Sequence, residues 1–252
     1  MKKISEANPN DFDFLLSATK ALKGFATAQE LAQAFVDTSY EHFSTSLILL
    51  RLFSTAPYSV LSSQDRQLVD RKANDSETAH LLNDRVPVLT LLGTRGRNDD
   101  WNERDKSQGF RCIPLISSKY VRSLSMLSMQ FKNMNFDFSR FDNRDISVFD
   151  EGSADRRSRM LYVKDARADR DDQDRMVVPR QEFVAEYGVK TVLGFGCGYP
   201  DHPAIAILFA FTDEILERPV AEPFSRLLEG YVSASKDLIG SGLFFSSQAT
   251  AL

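Results

Sequence analysis

The stretch VKTVLGFGCGYPDHPAIAILFAF, residues 189–211, decides the fold class of this chain. It contains two apolar runs of β type, Val189–Phe195 and Ala204–Phe211. Between them lies GCGYPDHP, residues 196–203, in which glycine, proline and aspartate are typical of a turn. The pattern predicts a β-hairpin whose two strands run side by side and antiparallel.

The glycines of this stretch also raise the alternative of a dinucleotide-binding turn. If Gly194 and Gly196 were its first two glycines, a Rossmann turn would place the third where this chain has Tyr199, and a helix would then begin against the pyrophosphate. Here Pro200 and a second β-type run follow instead. The hairpin is therefore the better interpretation.

Further elements are predicted on both sides of the hairpin from apolar periodicity. The predicted strands are Thr45–Phe53, Val86–Leu92, Arg111–Ile116 and Met160–Val163, the second ending in a turn at Gly93–Gly96. The predicted helices are 11–24, 28–43, Ser62–Leu82, Ser118–Met134 and Pro219–Leu238, and Pro179–Tyr187 is predicted to be a short helix or a turn segment. Thr27 with Glu30 three positions later is typical of a helix start.

This order of elements predicts an α+β fold. A doubly wound parallel sheet needs strands and helices to alternate regularly, and the hairpin breaks that alternation. We predict an antiparallel sheet flanked by helices, with the N-terminal helices either packed on the sheet or forming a helical dimer seam. Residues 135–158 read as a long loop or insertion, residues 167–175 as a charge run in solvent, and residues 241–252 as a flexible tail.

Composition limits the function classes. The chain has 252 residues, of which 42% are hydrophobic and 26% charged, so it is long and apolar enough for a sizeable core. A net charge of −4 gives no general attraction to nucleic acid or to an anionic membrane. No apolar run has the length of a signal peptide or a membrane span, and we expect a cytoplasmic protein.

Few residues suggest chemistry. The two cysteines, Cys112 and Cys197, lack metal-type spacing, and the three histidines show no ligand spacing, so no metal site is predicted. Cys197 with His202 is the only local nucleophile–base candidate, and no third group orients it. Trp101, the single tryptophan, stands in a polar loop and either anchors that loop or lines a pocket.

Four segments together resemble the GAF-like sensory domains found ahead of bacterial histidine kinases and related signalling outputs. They are LLGTRG at 91–96, WNER at 101–104, GFRCIPL at 109–115 and TVLGFG at 191–196. The resemblance covers about residues 45–237, with a gap near 135–158. Phe110 and Cys197 stand where the family pattern has histidine and glycine.

The resemblance implies a central antiparallel sheet of about six strands. The N-terminal and C-terminal helices would pack on one face, and a cleft would lie on the other. It divides the chain into N-terminal helices at 1–43, a candidate dimerisation element, a GAF-like sensory domain at 44–240 and the tail at 241–252. No output segment follows Leu238, so a stand-alone sensor or one that signals through another chain is expected.

The function expected from this resemblance is a non-enzymatic sensory or regulatory module. It would bind an unidentified small molecule and signal through a homodimer or a partner protein. Two alternatives stay open: a thiol-dependent enzyme of the free methionine sulfoxide reductase class within the GAF family, and a purely structural interaction protein. The candidate ligand-binding residues are Trp101, Asn102, Arg104, Arg111, Phe195 and Cys197; the two arginines offer forked donors to an anion.

Overall fold

The computed structural model of the chain describes residues 1–107, 110–149 and 158–246. Its centre is one six-stranded sheet in the order β3-β2-β1-β6-β5-β4, in which every neighbouring pair is antiparallel. The strands are β1 (Leu47–Pro57), β2 (Pro87–Gly96), β3 (Cys112–Pro114), β4 (Arg159–Val163), β5 (Thr191–Gly198) and β6 (Ile205–Thr212). The α+β class and the strand number are confirmed.

Eight α-helices and several short 3₁₀ turns surround the sheet in the described part of the chain. The helices are α1 (Pro9–Ala21), α2 (Ala28–Phe43), α3 (Ser63–Asp75), α4 (Ser118–Ser123), α5 (Ser125–Asn133), α6 (Gln181–Tyr187), α7 (Arg218–Ala221) and α8 (Phe224–Gly240). Within the same residues, no helix combines the length and the apolar character needed to cross a bilayer.

The predicted hairpin is confirmed. β5 and β6 pair antiparallel over their whole length, from Thr191 opposite Thr212 to Gly198 opposite Ile205. β6 continues the sheet by pairing with β1, which pairs on its other side with β2. The first and last strands of the sheet, β1 and β6, are therefore adjacent at its centre.

The terminal helices cover one face of the sheet, as the resemblance implies. Phe12 of α1, Phe43 of α2 and Phe224 of α8 form an aromatic cluster with ring centroids 5.2–6.0 Å apart. Asn8 and Thr27 cap α1 and α2 by accepting hydrogen bonds from backbone N–H groups of the first turn. Because these helices bury core residues, they are part of the domain.

The second face of the sheet carries α4, α5, α6 and part of the insertion predicted at 135–158. Phe131 of α5 is fully buried and contacts the rings of Phe136, Phe138, Phe141 and Phe149. Residues 138–149 form two 3₁₀ turns whose aromatic side chains point into this core. The described part of the insertion is therefore packed, whereas residues 150–157 lie outside the described residues.

Three predicted boundaries are corrected. The turn expected at Gly93–Gly96 is the last part of β2, because these residues pair with β1. The single helix expected at 118–134 is broken at Leu124, where Ser125 Oγ donates to the carbonyl oxygen atoms of Met176 and Val177. Phe244 and Phe245 of the predicted tail are buried, and residues 247–252 lie outside the described part.

Gly93 allows α2 to lie directly on the sheet. A Cβ atom at this position would stand 2.6 Å from the carbonyl oxygen of Ala32, a backbone atom that cannot rotate away. We expect Gly93→Ala to lower the free energy of unfolding by about 1–3 kcal/mol, since the helix must shift outward. Urea denaturation would measure the change.

Gly240→Ala is the matched control, because a Cβ atom there meets nothing within 4 Å at the end of α8. Its expected effect is neutral or slightly stabilising, by up to about 1 kcal/mol. Equal losses for the two variants would contradict the close approach of α2 to β2.

Candidate functional site

A cavity of about 370 Å³ lies on the sheet face away from the terminal helices. Its floor consists of alternate residues of β1 and β6: Leu49, Arg51, Phe53, Phe209 and Phe211. The residues between them on the same strands, such as Leu50 and Leu208, belong to the core beneath the helices. Because successive side chains of a strand point to opposite faces of the sheet, the same strands line the cavity on one face and contact the helices on the other.

Trp101 forms one wall together with α6. Its ring lies 4.5 Å from that of Tyr187 and 5.5 Å from that of Phe183, measured between centroids. Trp101 packs over Gly96, where a Cβ atom would stand 2.7 Å from its Cε3. Thr94 Oγ1 donates to its carbonyl oxygen at 2.8 Å. The two interpretations of Trp101 are thus compatible, since it anchors its loop and also lines the cavity.

The rest of the wall comes from the start of α5 and the segment that leads into α6. Leu124–Leu127 close one side, and Val178–Arg180 close another. The break between α4 and α5 at Leu124 turns α5 towards the cavity, and α6 presents Phe183 and Tyr187 on one side. The lining is mostly apolar and aromatic, which is the usual character of a small-molecule site.

Two arginines are the cations of this lining. Arg51 is half-buried in the floor and donates from Nη2 to Ser107 Oγ at 3.1 Å. Arg180 is exposed at the mouth, where its guanidinium carbon lies 5.0 Å from the centroid of the Phe110 ring. Burial and the positive charge of Arg180 lower the pKa of Arg51 to about 10, so it remains a cation at neutral pH.

Arg104 and Arg111, predicted as ligand donors, are instead held by one carboxylate. Asp65 of α3 accepts a hydrogen bond from Arg104 Nη2 at 2.7 Å, and its Oδ1 lies 2.8 Å from Arg111 Nε. The second contact is an ion pair without hydrogen-bond geometry. Arg104 also donates to the carbonyl oxygen of Leu91. The two arginines do not line the cavity.

Asn102, Phe195 and Cys197 also lie away from the cavity lining. Asn102 Oδ1 accepts from the backbone N–H of Gly96 at 2.9 Å, so it fixes the end of β2. Phe195 and Cys197 are on the helical side of β5, where Phe195 stacks on Phe224 with centroids 6.2 Å apart. Of the six predicted ligand-binding residues, the structure places only Trp101 in the lining.

Neither cysteine of the sequence faces the cavity. Cys112 and Cys197 are both buried in the core beneath the helices. Burial, with the negative charge of Asp65, raises the pKa of Cys112 to about 12, which keeps it a thiol. Among the described residues no group of three or more histidine, cysteine or acidic side chains is placed to hold a metal ion.

The position of Arg51 in its strand is a sequence signal for a special environment. Arg51 is the one charged residue of β1, whose other positions are apolar or small and polar. A charge within such a strand is unusual and indicates a special environment. Phe183 and Tyr187 carried a weaker signal, as two aromatic residues four positions apart on the short helix α6.

A second hollow of about 450 Å³ lies beside β4 and is lined by Asn133, Ser158, Arg159 and residues of α7 and α8. It is more polar, and its lining residue Ser158 is the first described residue after position 157. The cavity floored by β1 and β6 is bordered by Trp101, the start of α5 and α6, all of which the structure describes. We therefore take that cavity as the candidate site.

Fold and site together define an α+β domain with one antiparallel sheet, terminal helices on one face and an apolar cavity on the other. No protein-family model matches the chain, and no curated protein is similar to it in sequence. Among solved structures, it is similar to the phycoerythrobilin-bound GAF domain of a cyanobacterial phytochrome, with 8% identity and a TM-score of 0.48 over 91% of this chain and 97% of that one.

Two further solved structures are similar at the same level. The phycocyanobilin-bound GAF domain of a cyanobacterial phytochrome has 8% identity and a TM-score of 0.45, over 91% of this chain and 96% of that one. A free methionine-R-sulfoxide reductase from Neisseria meningitidis, in complex with its substrate, has 9% identity and a TM-score of 0.44, over 94% and 96%. The α+β fold is assigned from the antiparallel sheet and the helices described above, and not from these similarities.

Proposed function

We propose that this protein is a non-enzymatic regulatory module that binds a small molecule in the cavity between the sheet, Trp101, α5 and α6. The observation that supports the proposal is the cavity itself. It is concave, mostly apolar, and at the small end of the roughly 300–1,000 Å³ found for ligand sites. The burial of both cysteines away from it favours binding over thiol-dependent turnover.

The sheet offers a physical route for a signal. Floor residues Arg51 and Phe53 alternate along β1 with Leu50 and Leu52, which contact the helical core. A ligand that binds one arrangement of these strands more tightly shifts the protein towards that arrangement by its differential affinity. The helices α2 and α8 would then respond, because α2 packs on β1 and β2 and α8 packs on β5 and β6, and α1 would follow through its contacts with α8.

A cavity-filling variant tests whether small molecules bind at this place. Met126 lines the cavity, whereas Met129 lies on the same helix outside the lining. We expect Met126→Trp to lose, and Met129→Trp to retain, the thermal shift that the wild-type protein shows in a metabolite screen. A ligand at about 100 times its dissociation constant adds about 2.7 kcal/mol of stability.

Native mass spectrometry of freshly purified wild-type protein and both variants supplies a second readout. A bound small molecule that persists equally in Met126→Trp would place the binding site elsewhere. The absence of any thermal shift and any bound mass for the wild type would contradict the proposed function.

We further propose that the signal leaves through a dimer formed by the outer surface of the terminal helices. Phe14 of α1 is 58% exposed there, although its helical neighbours Phe12 and Leu15 are buried in the core. Light scattering of the wild-type chain and of Phe14→Glu would test this, with a dimer expected for the first and a monomer for the second. A monomeric wild-type protein would contradict it.

A further inference from the structure

Arg51 is partly buried, with its Nε enclosed, and unlike the buried Arg104 and Arg111 it has no acidic partner among the described residues. In the parts of the chain that the structure describes, no carboxylate lies within ion-pair distance of its guanidinium. Arg104 and Arg111, by contrast, share Asp65. Nε of Arg51 is enclosed and makes no hydrogen bond. The floor of the cavity therefore holds a cation with an unused donor.

This arrangement has an energetic cost in the empty protein. A buried charge is normally paired, because its loss of hydration is otherwise uncompensated. Arg180 increases the cost, since its positive charge at the mouth repels that of Arg51. An anion between the two guanidinium groups would remove both penalties and would use the free Nε–H of Arg51.

The rim limits the charge of that anion. Glu182 and Glu186 of α6 line the cavity from exposed positions, and neither forms an ion pair with Arg51 or Arg180. Two carboxylates at the rim add negative charge near the site, and they repel a ligand with two negative charges, such as a phosphate monoester, more strongly than a ligand with one. A single carboxylate is therefore better suited to the site than a phosphate.

The remaining lining residues indicate the chemical character of the uncharged part of the ligand. Phe53, Phe209 and Phe211 in the floor and Trp101 in the wall present aromatic surface around Arg51. Aromatic rings pack favourably edge to face or offset against one another. The volume of about 370 Å³ suits a body of one or two rings.

Resting on the function proposed above, we infer that the cavity takes a small aromatic monocarboxylic acid, with its carboxylate on Arg51 and its ring against Phe53, Phe209 and Trp101. The arginine selects the acid over its neutral amide. Arg180 contributes at the mouth and is less important, because water screens its exposed charge.

Calorimetry with two matched pairs of probes tests the inference. The probes are benzoate with benzamide, and 3-phenylpropionate with 3-phenylpropionamide. We expect at least one acid to bind the wild-type protein on the order of 10- to 100-fold more tightly than its amide, as a charge-assisted hydrogen bond implies. Binding is also expected to change the emission of Trp101, the single tryptophan of the sequence.

Arg51→Met should abolish this preference, while Arg95→Met should preserve it. Arg95 is also a strand arginine, but it lies near Asp37 of α2 on the helical side. Arg51→Met removes a buried, unpaired charge, so we expect its melting temperature to equal or exceed that of the wild type. If Arg51→Met does not fold, Arg180→Met at the exposed mouth should show a smaller loss for the acid and none for the amide.

The outcomes separate the inference from the function on which it rests. Equal affinity for acid and amide in the wild type would overturn the role of Arg51 and leave a cavity that binds neutral molecules. An acid preference that survives in Arg51→Met would also overturn it. If neither acids nor amides bind and the metabolite screen is also negative, both the inference and the proposed function fail.

Discussion

Asp65→Ala is expected to lower the free energy of unfolding by about 3–5 kcal/mol, because it leaves two buried arginines without their shared carboxylate. Asp65 is 1% exposed, and Arg104 and Arg111 are 8% and 5% exposed. Asp65 joins α3 to both arginines at the β3 edge of the sheet. Chemical denaturation would measure the loss, and Asp65→Asn, which keeps the shape of the side chain, should lose most of the same stability.

Asp105 provides the control for this prediction. Its Oδ1 lies 3.1 Å from Arg111 Nη1 and 3.5 Å from Arg104 Nη1, but its side chain is 76% exposed. An exposed ion pair contributes about 0–1 kcal/mol, so Asp105→Ala should have a small effect. A loss for Asp105→Ala as large as that for Asp65→Ala would show that burial does not distinguish the two carboxylates.

Phe131→Ala should destabilise the protein by about 3–5 kcal/mol, the usual cost of removing a buried phenyl ring. Phe131 is fully buried, and its ring lies 5.1–6.4 Å from four others between centroids. These rings come from residues 136–149, so the substitution removes the contact that joins the insertion to α5. Urea unfolding followed by circular dichroism would report the change.

Phe14→Ala is the matched control, since the same ring is removed from an exposed position on α1. Its side chain is 58% exposed and stacks only on His42, at 5.5 Å between centroids. At protein concentrations low enough for the wild type to be monomeric, so that the proposed dimer does not contribute, an effect within about 0.5 kcal/mol is expected. A small effect of Phe131→Ala would mean that residues 136–149 contribute little to the stability of the domain.

The hairpin could be predicted because its information is local. Apolar β-type runs flank a glycine- and proline-rich turn, and no distant residue is needed to recognise that pattern. α1 and α2 were predictable for the same reason, from their periodicity and the Thr27 cap. The end of β2 was not, because Gly93 looks like a turn residue until Ala32 of α2 is known to lie on it.

The site was harder to predict because it depends on which side of each strand faces the helices. Along β5, Phe195 and Cys197 alternate with Gly194 and Gly196, and the sequence shows that alternation plainly. The sequence does not show which of these two pairs of residues faces α8. Phe195 and Cys197 were assigned to the cleft, but they belong to the opposite core, where Phe195 stacks on Phe224.

The arginines illustrate a second limit. Arg104 and Arg111 resemble donors for an anion, but their charge is compensated by Asp65, which precedes Arg104 by 39 positions in the chain. The sequence predicts no role for Arg51, although in the described structure no carboxylate lies within ion-pair distance of its guanidinium. Pairing in three dimensions decides which cation is available to a ligand, and spacing along the chain does not determine that pairing.

The edge strand β3 has a consequence for self-association. It is three residues long and ends at Pro114, whose nitrogen carries no hydrogen to donate. Unpaired edge strands are the places where copies of a β-protein join into fibrous aggregates, and short edges containing proline resist this. At this border of the folded sheet, a second copy of the chain therefore has little exposed backbone with which to form further β-pairing.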